Sequence, residues 1–486
     1  MSISTSPRLR RGIALCAVVL ATGGLVLYRA PASAFPGDSR SPGALVSGKN
    51  SAAFAGPGAH GTVSLSHTRV TSNGQTAVFA DVRVVADTDP RPGEQKRAPI
   101  SMAVVLDTSG SMSGEKIEEA RRSVLRLISE MRDDDEIAVI RYSDSAEVIQ
   151  PLVRVGAVRE SLTGRIRRLE AGGGTNIPSG MSAGLHALGE SVRGRVRRIV
   201  LVSDGLDSTR TQAEALARDG FESGITVSSL GIGLDFDESY MGSLAEKGHG
   251  NFAFVKDGAS LAKFLHRELE ETAGTTIENA RVRLELPEGV RFLGATGADA
   301  IAHGNEIELV VGSLFAGDER RIVVELSANT QTAQLSARDR LFAPMDIKTQ
   351  ASWNVVGSSS MTVVRAPQLT LLATSDASEV ESGKDGAVLA SAMSVVASRR
   401  QVEASTAYAQ GDALRAAQIT EDNELELTKA RASAPAAAAQ ALDSQIMAYG
   451  AMKQGFKTVA PQSAEGRAAA KENAAKDRGN FARKAF

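Results

Sequence analysis

The chain has 486 residues with 57 acidic and 55 basic side chains, which gives a formal net charge of −2. This near balance provides no basic field for nucleic-acid binding, and an aromatic content of 4% argues against a base-stacking platform. The single cysteine, Cys16, excludes an intramolecular disulfide and a cysteine-based zinc cluster, and the six histidines are scattered. The length suffices for several domains, and we expect no nucleic-acid partner.

The first 34 residues are predicted to form an export signal. Three arginines within residues 8–11 precede an apolar run at 12–28, and the Ala-Ser-Ala sequence at 32–34 offers a cleavage site between small residues. The alternative is an uncleaved helix at 12–28 that anchors the protein to the inner membrane. Both interpretations predict an exported protein of the bacterial periplasm or cell envelope, with membrane contact only through this segment.

The next two segments differ in their patterning. Residues 35–60 are rich in Gly, Pro, Ser and Ala, which predicts a flexible linker. Residues 61–97 contain two segments of alternating polarity separated by Asn73-Gly74, a turn sequence typical of a β-hairpin. This hairpin is a candidate part of a β module that follows later in the chain.

Residues 98–275 alternate between predicted strands and helices. The segment "ISMAVVLD" is continuously apolar, as in a strand that is buried on both faces. It is followed by a segment in which Ile117, Ala120, Val124, Leu127 and Ile128 recur at helical spacing. The alternation predicts an α/β fold of the Rossmann-like, doubly wound kind, with helices on both faces of a largely parallel sheet.

The C-terminal part of the chain is predicted to contain three further regions. Residues 276–367 return to a period of two, which indicates a β-sandwich-like module. Residues 385–460 have the composition of a helical region, predicted as a helical hairpin. Residues 461–486 are rich in Ala and charge, and we expect a disordered tail.

Three polar clusters lie where the predicted sheet would bind a ligand. The sequence Asp107-Thr108-Ser109-Gly110-Ser111 ends the first buried strand, Thr175 follows three glycines and precedes a helix, and Asp204 ends another buried strand. Ligands of open parallel sheets bind at the carboxyl ends of the strands. Taken singly, each cluster is more typical of a turn or a helix cap.

Together, the clusters resemble the metal-ion-dependent adhesion site (MIDAS) of the von Willebrand factor type A (VWA) domain family. The resemblance rests on the order Asp-x-Ser-x-Ser, a distant Thr and a strand-terminal Asp, and it covers residues 98–275. It implies a VWA domain flanked by the β-sandwich-like module and the helical C-terminal region.

The resemblance also implies roles for five side chains. Ser109, Ser111 and Thr175 would bind a divalent cation directly through their hydroxyls, and Asp107 and Asp204 would act mainly through bound waters. The expected ion is Mg²⁺, with Mn²⁺ or Ca²⁺ as alternatives, because hard cations prefer oxygen ligands. The family typically completes this coordination with a carboxylate from a partner.

The function implied is a non-enzymatic, metal-dependent adhesion or protein-binding module that takes an acidic residue of a partner protein. The alternative is a structural scaffold that assembles an envelope complex without metal, because a fold does not fix a function. An enzyme is the least favoured class, since we find no histidine or lysine near Ser109 and Ser111 in the sequence that would activate them.

Overall fold

The computed structural model describes residues 50–481, except for residues 73, 89–97, 192–193, 205–206, 208, 233–236, 256–257, 331–343 and 359. The predicted export signal, most of the predicted linker and Asn73 of the predicted turn therefore lie outside the described residues. In this part of the chain the strands are β1 (Ser51–Gly56), β2 (Ala59–Leu65), β3 (Arg69–Thr71), β4 (Gln75–Ala86), β5 (Ile100–Asp107), β6 (Glu136–Tyr142), β7 (Ala146–Arg154), β8 (Val196–Ser203), β9 (Ile225–Ile232), β10 (His249–Val255), β11 (Thr275–Glu285), β12 (Val290–Thr296), β13 (Asp299–His303), β14 (Glu306–Phe315), β15 (Glu319–Asn329), β16 (Pro344–Val355), β17 (Met361–Arg365) and β18 (Leu369–Thr374). The helices are α1 (Glu115–Glu130), α2 (Val155–Ile166), α3 (Ile177–Gly189), α4 (Arg210–Glu222), α5 (Glu238–Lys247), α6 (Gly258–Ala273), α7 (Ala377–Ser382), α8 (Gly386–Ala409), α9 (Ala413–Ser433), α10 (Ala436–Thr458) and α11 (Ala464–Phe481).

The central domain is the doubly wound α/β fold that the sequence predicts. Its six-stranded sheet has the order β10-β9-β8-β5-β6-β7, and all neighbouring pairs are parallel except β6 with β7. All eight residues of β5 are buried, as expected for a central strand covered on both faces. Helices α1, α2 and α6 contribute to the hydrophobic core on one face of the sheet, and α3, α4 and α5 contribute to the core on the other.

The flanking β module is a pair of sheets that share one hydrophobic core. One sheet has the order β1-β2-β4-β15-β12, and the other has the order β13-β14-β11-β16-β18-β3, with β17 beside β16. Strands from both ends of the α/β domain therefore combine, as the antiparallel pairing of β4 with β15 shows most directly. The module ends with β18 at Thr374, beyond the predicted boundary at residue 367.

The predicted linker at 35–60 is wrong for its last ten residues. Residues 51–56 pair with residues 59–64 as an antiparallel hairpin, in which Ala52 and Phe54 are buried. Gly58 lies in the connecting turn with a φ of +81°, a conformation that glycine adopts without a steric penalty. The small residues of this segment therefore belong to a strand pair, which is stabilised by the burial of Ala52 and Phe54.

The predicted hairpin at 61–97 is correct in its strands and incomplete in its topology. β2 pairs with β4 as expected, with Leu65 opposite Ala80. The following residues leave this pair, and β3 runs parallel to β18 in the other sheet. Alternating polarity within a segment does not predict that β3 joins the other sheet. Strands of either sheet bury one face against the same core, so their patterns look alike.

The helical region extends further in both directions than the sequence predicts. The predicted disordered tail at 461–486 is wrong over most of its length, because residues 464–481 form α11. Ala470 and Ala474 of this helix are 2% and 4% exposed, and alanine is the best helix former. The alanine-rich, charged composition thus belongs to a helix that packs on its neighbours.

Helix α8 joins this region to the β module. Val395 and Val396 pack against Val323 of β15, and the Ser391 hydroxyl donates a 2.6 Å hydrogen bond to Asp81 Oδ2 of β4. No helix among the described residues is both long enough and apolar enough to cross a membrane.

Candidate metal centre

Asp107 forms the floor of the candidate site at the carboxyl end of β5. Its side chain is fully buried; Oδ1 accepts a 2.7 Å hydrogen bond from the Ser109 backbone N–H, and Oδ2 accepts a 2.6 Å bond from the Ser203 hydroxyl. The Tyr142 hydroxyl donates to the same Oδ2 over 3.4 Å. Burial raises the pKa of Asp107; the nearby Asp204 carboxylate adds to this effect, and the hydrogen bonds from Ser203 and Ser109 oppose it.

Ser109, Ser111 and Asp204 form a continuous chain of oxygen atoms above this floor. The two serine Oγ atoms are 3.0 Å apart, and the Ser111 hydroxyl donates a 2.7 Å hydrogen bond to Asp204 Oδ1. Ser109 and Asp204 are each 2% exposed, whereas Ser111 lies at the exposed rim. The neighbouring positions of β5 and β8 in the parallel sheet bring these sequence-distant groups together.

Thr175 lies in a loop that is held against the first cluster by its backbone. The Gly172 N–H donates a 2.7 Å hydrogen bond to the Thr108 carbonyl, and the Gly110 N–H donates a 3.0 Å bond to the Gly173 carbonyl. Thr175 itself is half-buried. The structure therefore brings the loop that carries Thr175 to the site.

Lys116 is a member of the site that sequence reasoning missed. It lies in the first turn of α1, five residues after Ser111, and its ammonium forms a short ion pair with Asp204 Oδ2. A cation in the first turn of a helix is electrostatically unfavourable, because the helix dipole places positive charge there. That unusual position was the available sequence signal.

Two further carboxylates organise the loops and were also missed. Asp144 Oδ1 accepts a 3.0 Å hydrogen bond from the Gly174 N–H, and Asp207 Oδ2 accepts a 2.7 Å bond from the Ile177 N–H at the start of α3. Both contacts join segments that are about thirty residues apart in the sequence, so no local motif reveals them. These bonds set the position of the Thr175 loop relative to β6 and to the loop after β8.

The donor set of the site fits a hard divalent cation. Its groups are hydroxyl and carboxylate oxygens, which Mg²⁺, Mn²⁺ and Ca²⁺ prefer. The described residues contain no group of three or more His, Cys, Asp or Glu side chains that could hold a metal ion. The five candidate ligands are two carboxylates and three hydroxyls. Asp107 at the floor is buried and Ser111 at the rim is exposed, an arrangement that lets a partner approach from the rim.

The central domain is a doubly wound α/β fold with Asp-x-Ser-x-Ser at the carboxyl end of its central strand. A family model of the von Willebrand factor type A domain matches residues 101–267. This part of the chain is accordingly a VWA domain. VWA domains form a family of protein-interaction modules.

Individual relatives extend the similarity beyond that domain. The chain is 26% identical over 270 residues to the uncharacterized protein YfbK of Escherichia coli, covering 52% of this chain and 47% of YfbK. It is 25% identical to the inter-alpha-trypsin inhibitor heavy chain H3 of Rattus norvegicus, covering 39% of this chain and 22% of the inhibitor chain. The chain thus spans about half, or less, of the length of these curated relatives.

Among solved structures, the chain is similar to a von Willebrand factor type A protein from Catenulispora acidiphila. The TM-score is 0.59 at 15% identity, with 78% of this chain and 88% of the other covered. At this identity the likeness concerns the fold, which includes regions outside the VWA domain.

Proposed function

We propose that the VWA domain binds a divalent cation, Mg²⁺ in the first place, and that this ion takes a carboxylate oxygen from a partner protein. Ser109, Ser111 and Thr175 would hold the ion directly, and Asp107 and Asp204 would orient its waters and balance its charge. When bound, the ion supplies an electrophilic centre for the partner's acidic side chain. Mn²⁺ and Ca²⁺ are the alternatives for the ion.

The observation that carries this proposal is the chain of contacts from Ser109 Oγ through Ser111 Oγ to Asp204 Oδ1. The two steps measure 3.0 and 2.7 Å, so three oxygens from two loops already converge. Asp107 beneath them has both carboxylate oxygens engaged by hydrogen-bond donors, which fixes its orientation. The three groups that would contact the ion directly are neutral hydroxyls, and an ion without a directly bound anion favours an additional anionic ligand.

We further propose that the protein is not an enzyme and that it acts in the cell envelope after export. Lys116 is the lysine nearest to the two serines along the chain, and its side chain is engaged in an ion pair with Asp204 instead of contacting a serine hydroxyl as an activating base would. A lack of turnover with generic ester, phosphate and peptide substrates is expected. Mature protein recovered from envelopes is expected to begin after residue 34 if the signal is cleaved.

A metal-independent scaffold for an envelope complex is the second candidate. The observation in its favour is the packing of α8 on the β module, where Ser391 bonds to Asp81 and Val395 packs against Val323. This packing joins the C-terminal helices to the β module without contribution from the candidate metal site.

Titration of the full chain with Mg²⁺ tests the metal site. Wild-type protein should bind the ion, and Ser111→Ala should weaken binding about tenfold or more, as loss of a metal-site group typically does. Ser113→Ala is the matched control, because its hydroxyl bonds to the Gly110 carbonyl in the same turn and is outside the donor set. Equal affinity of both variants and the wild type would contradict the assignment.

Recovery of partners from cell envelopes then separates the two functions. A metal-dependent module should lose the same partner in chelator and in the Ser111→Ala variant, and keep it in Ser113→Ala. Partners that persist in chelator and in both variants would favour the scaffold.

A further inference from the structure

Lys116 contributes a positive charge to the candidate metal centre. Its ammonium is paired with Oδ2 of Asp204, and the Ser111 hydroxyl donates to Oδ1 of the same carboxylate. The lysine and a candidate metal ligand therefore share one buried acidic group. In the part of the chain that the structure describes, Lys116 is the only cationic side chain in contact with any of the five candidate ligands.

The helix that carries Lys116 does not by itself explain a lysine at this position. Lys116 is the second residue of α1, and the dipole of a helix disfavours positive charge in its first turn. Glu115 and Glu118 in the same turn have the sign that the dipole favours. The contact with Asp204 is therefore the feature of the structure that accounts for this lysine.

The Lys116 ammonium keeps hydrogen-bonding capacity beyond its pair with Asp204. An ammonium group has three N–H donors, and among the described residues only Asp204 accepts one of them. The Lys116 side chain is 30% exposed, whereas that of Asp204 is 0% exposed. Because lysine places its donors on a flexible four-carbon stem, this side chain can follow an anion that arrives at the rim beside Ser111.

A positive charge at this point acts in opposite directions on the two ligands of the proposed site. It repels a divalent cation, and it attracts a carboxylate that approaches that cation. The nearby carboxylates of Asp144 and Asp207, which accept backbone N–H groups of the Thr175 loop and of α3, act in the reverse sense on both ligands. They do not change the sign of the contribution that Lys116 makes.

We propose that Lys116 is a specificity-determining residue of the site, which holds the partner's carboxylate together with the metal ion. The inference rests on the proposed function and adds a second point of contact for the partner's acidic side chain. Charge-assisted hydrogen bonds are about twice as strong as neutral ones, so the ammonium favours an ionised Asp or Glu over an amide or a hydroxyl. Lys116 thus weakens the binding of Mg²⁺ and strengthens the binding of the acid.

Calorimetric titration of the full chain with Mg²⁺ in two buffers of equal ionic strength tests this inference. One buffer contains sodium acetate as the carboxylate probe, and the other contains sodium chloride with the same concentration of acetamide, the neutral analogue. Wild-type protein should bind Mg²⁺ more tightly in acetate, because a ligand of the metal-loaded state strengthens metal binding. Acetate also binds free Mg²⁺, but equally for every variant, so comparisons between variants are unaffected.

The variants separate the two effects of the lysine. In Lys116→Met, the Mg²⁺ affinity in the acetamide buffer should rise about fivefold, and the acetate affinity derived from the difference between the buffers should fall about fivefold. Lys116→Gln should behave alike, and it can still donate to Asp204, which keeps the test decisive if Lys116→Met does not fold. Lys116→Arg retains the charge and should retain most of the acetate affinity. Arg122→Gln is the matched control, because it removes a positive charge from a side chain of α1 that is 69% exposed.

The outcomes distinguish this inference from the proposed function. An equal acetate affinity of Lys116→Gln and the wild type would overturn the role of Lys116 and leave the metal site standing. A wild-type protein that binds no Mg²⁺ would instead overturn the proposed metal function. Equal Mg²⁺ affinities of the wild type in the two buffers would overturn its carboxylate ligand, and the inference fails with either.

Discussion

At the scale of single residues, Asp204 is the group on which the candidate site depends most. One of its oxygens accepts the Ser111 hydroxyl, and the other is paired with Lys116. The carboxylate is almost fully buried, and removing the partner of a buried ion pair is strongly destabilising. Lys116 supplies the positive charge of this pair, and a divalent cation beside Ser111 would compete with it for the same carboxylate.

Lys116→Met is therefore expected to lower thermal stability in the absence of metal and to strengthen Mg²⁺ binding. Without metal, the unpaired Asp204 carboxylate should lower the thermal midpoint. With metal, Mg²⁺ affinity should rise by roughly fivefold, or about 1 kcal/mol, since the competing ammonium is gone. Thermal unfolding in EDTA and calorimetric titration with Mg²⁺ measure the two effects. Arg122→Gln on the exposed face of the same helix should change neither, and a fall in Mg²⁺ affinity of Lys116→Met would contradict the competition.

At the scale of elements, the site depends on how three loops are fixed to one another. Gly173 has a φ of +86°, and a Cβ atom at this position would lie 2.5 Å from Asp144 Oδ2. A side chain here would combine a strained backbone with a steric clash. The glycine run at 172–174 thus serves mainly to bring Thr175 close to β5 and β6, and only its middle member requires positive φ.

Gly173→Ala should lower the free energy of unfolding by about 1–2 kcal/mol through this strain, and it should weaken Mg²⁺ binding by moving Thr175. Gly172→Ala is the matched control, because a Cβ there meets no atom within 4 Å and its φ is not positive. Urea unfolding and Mg²⁺ titration of both variants check the prediction. If Gly172→Ala is as damaging as Gly173→Ala, the explanation through the backbone conformation fails.

At the scale of the whole molecule, α11 connects the C-terminal helices to the VWA domain. Asp477 of this helix is fully buried, and its Oδ1 accepts a 2.8 Å hydrogen bond from the Tyr449 hydroxyl of α10. On the VWA side, the Arg478 guanidinium lies 5.8 Å from the centre of the Phe252 ring. Helix α11 therefore lies between two cores, and its stability affects both.

The protonation of Asp477 predicts how this assembly responds to pH. Burial raises the pKa of Asp477 from its ordinary 3.8 to about 7, against the lowering effect of hydrogen bonds from Tyr449 and Ser398. The folded state then binds more protons than the unfolded state between these values, so the free energy of unfolding falls as pH rises through this window. The loss is at most about 1.4 kcal/mol per pH unit and levels off above pH 7.

Asp477→Asn should flatten this pH dependence and should be relatively more stable than the wild type at alkaline pH. Unfolding in urea at a series of pH values measures the effect. Glu238, whose pKa is also raised, should leave a smaller slope of the same sign in this variant. Asp422→Asn on the exposed face of α9 is the control and should keep the wild-type slope. A parallel pH profile for Asp477→Asn and wild type would contradict the assignment.

The sequence by itself determined the local elements and the identity of the candidate ligands. The apolar run of β5 and the helical spacing of Ile117, Val124 and Ile128 predict their elements, because both depend on periodicities within one segment. The polar clusters at Asp107 and Asp204 were recognisable because a buried strand that ends in an acid is a local signal. Metal binding at these positions is still a prediction.

Only the tertiary structure decided which distant groups complete the site and which strands share a sheet. The register of the parallel sheet brings Ser203 and Tyr142 to Asp107, and the first turn of α1 brings Lys116 to Asp204. No spacing in the sequence encodes these contacts. β4 and β15 pair across more than two hundred residues, so the β module surrounds the VWA domain in sequence. Composition predicted disorder for α11, whereas burial of its alanines and of Asp477 makes it an ordered helix. Long-range packing decides such features, because their free energy comes from contacts between segments and not from the segment alone.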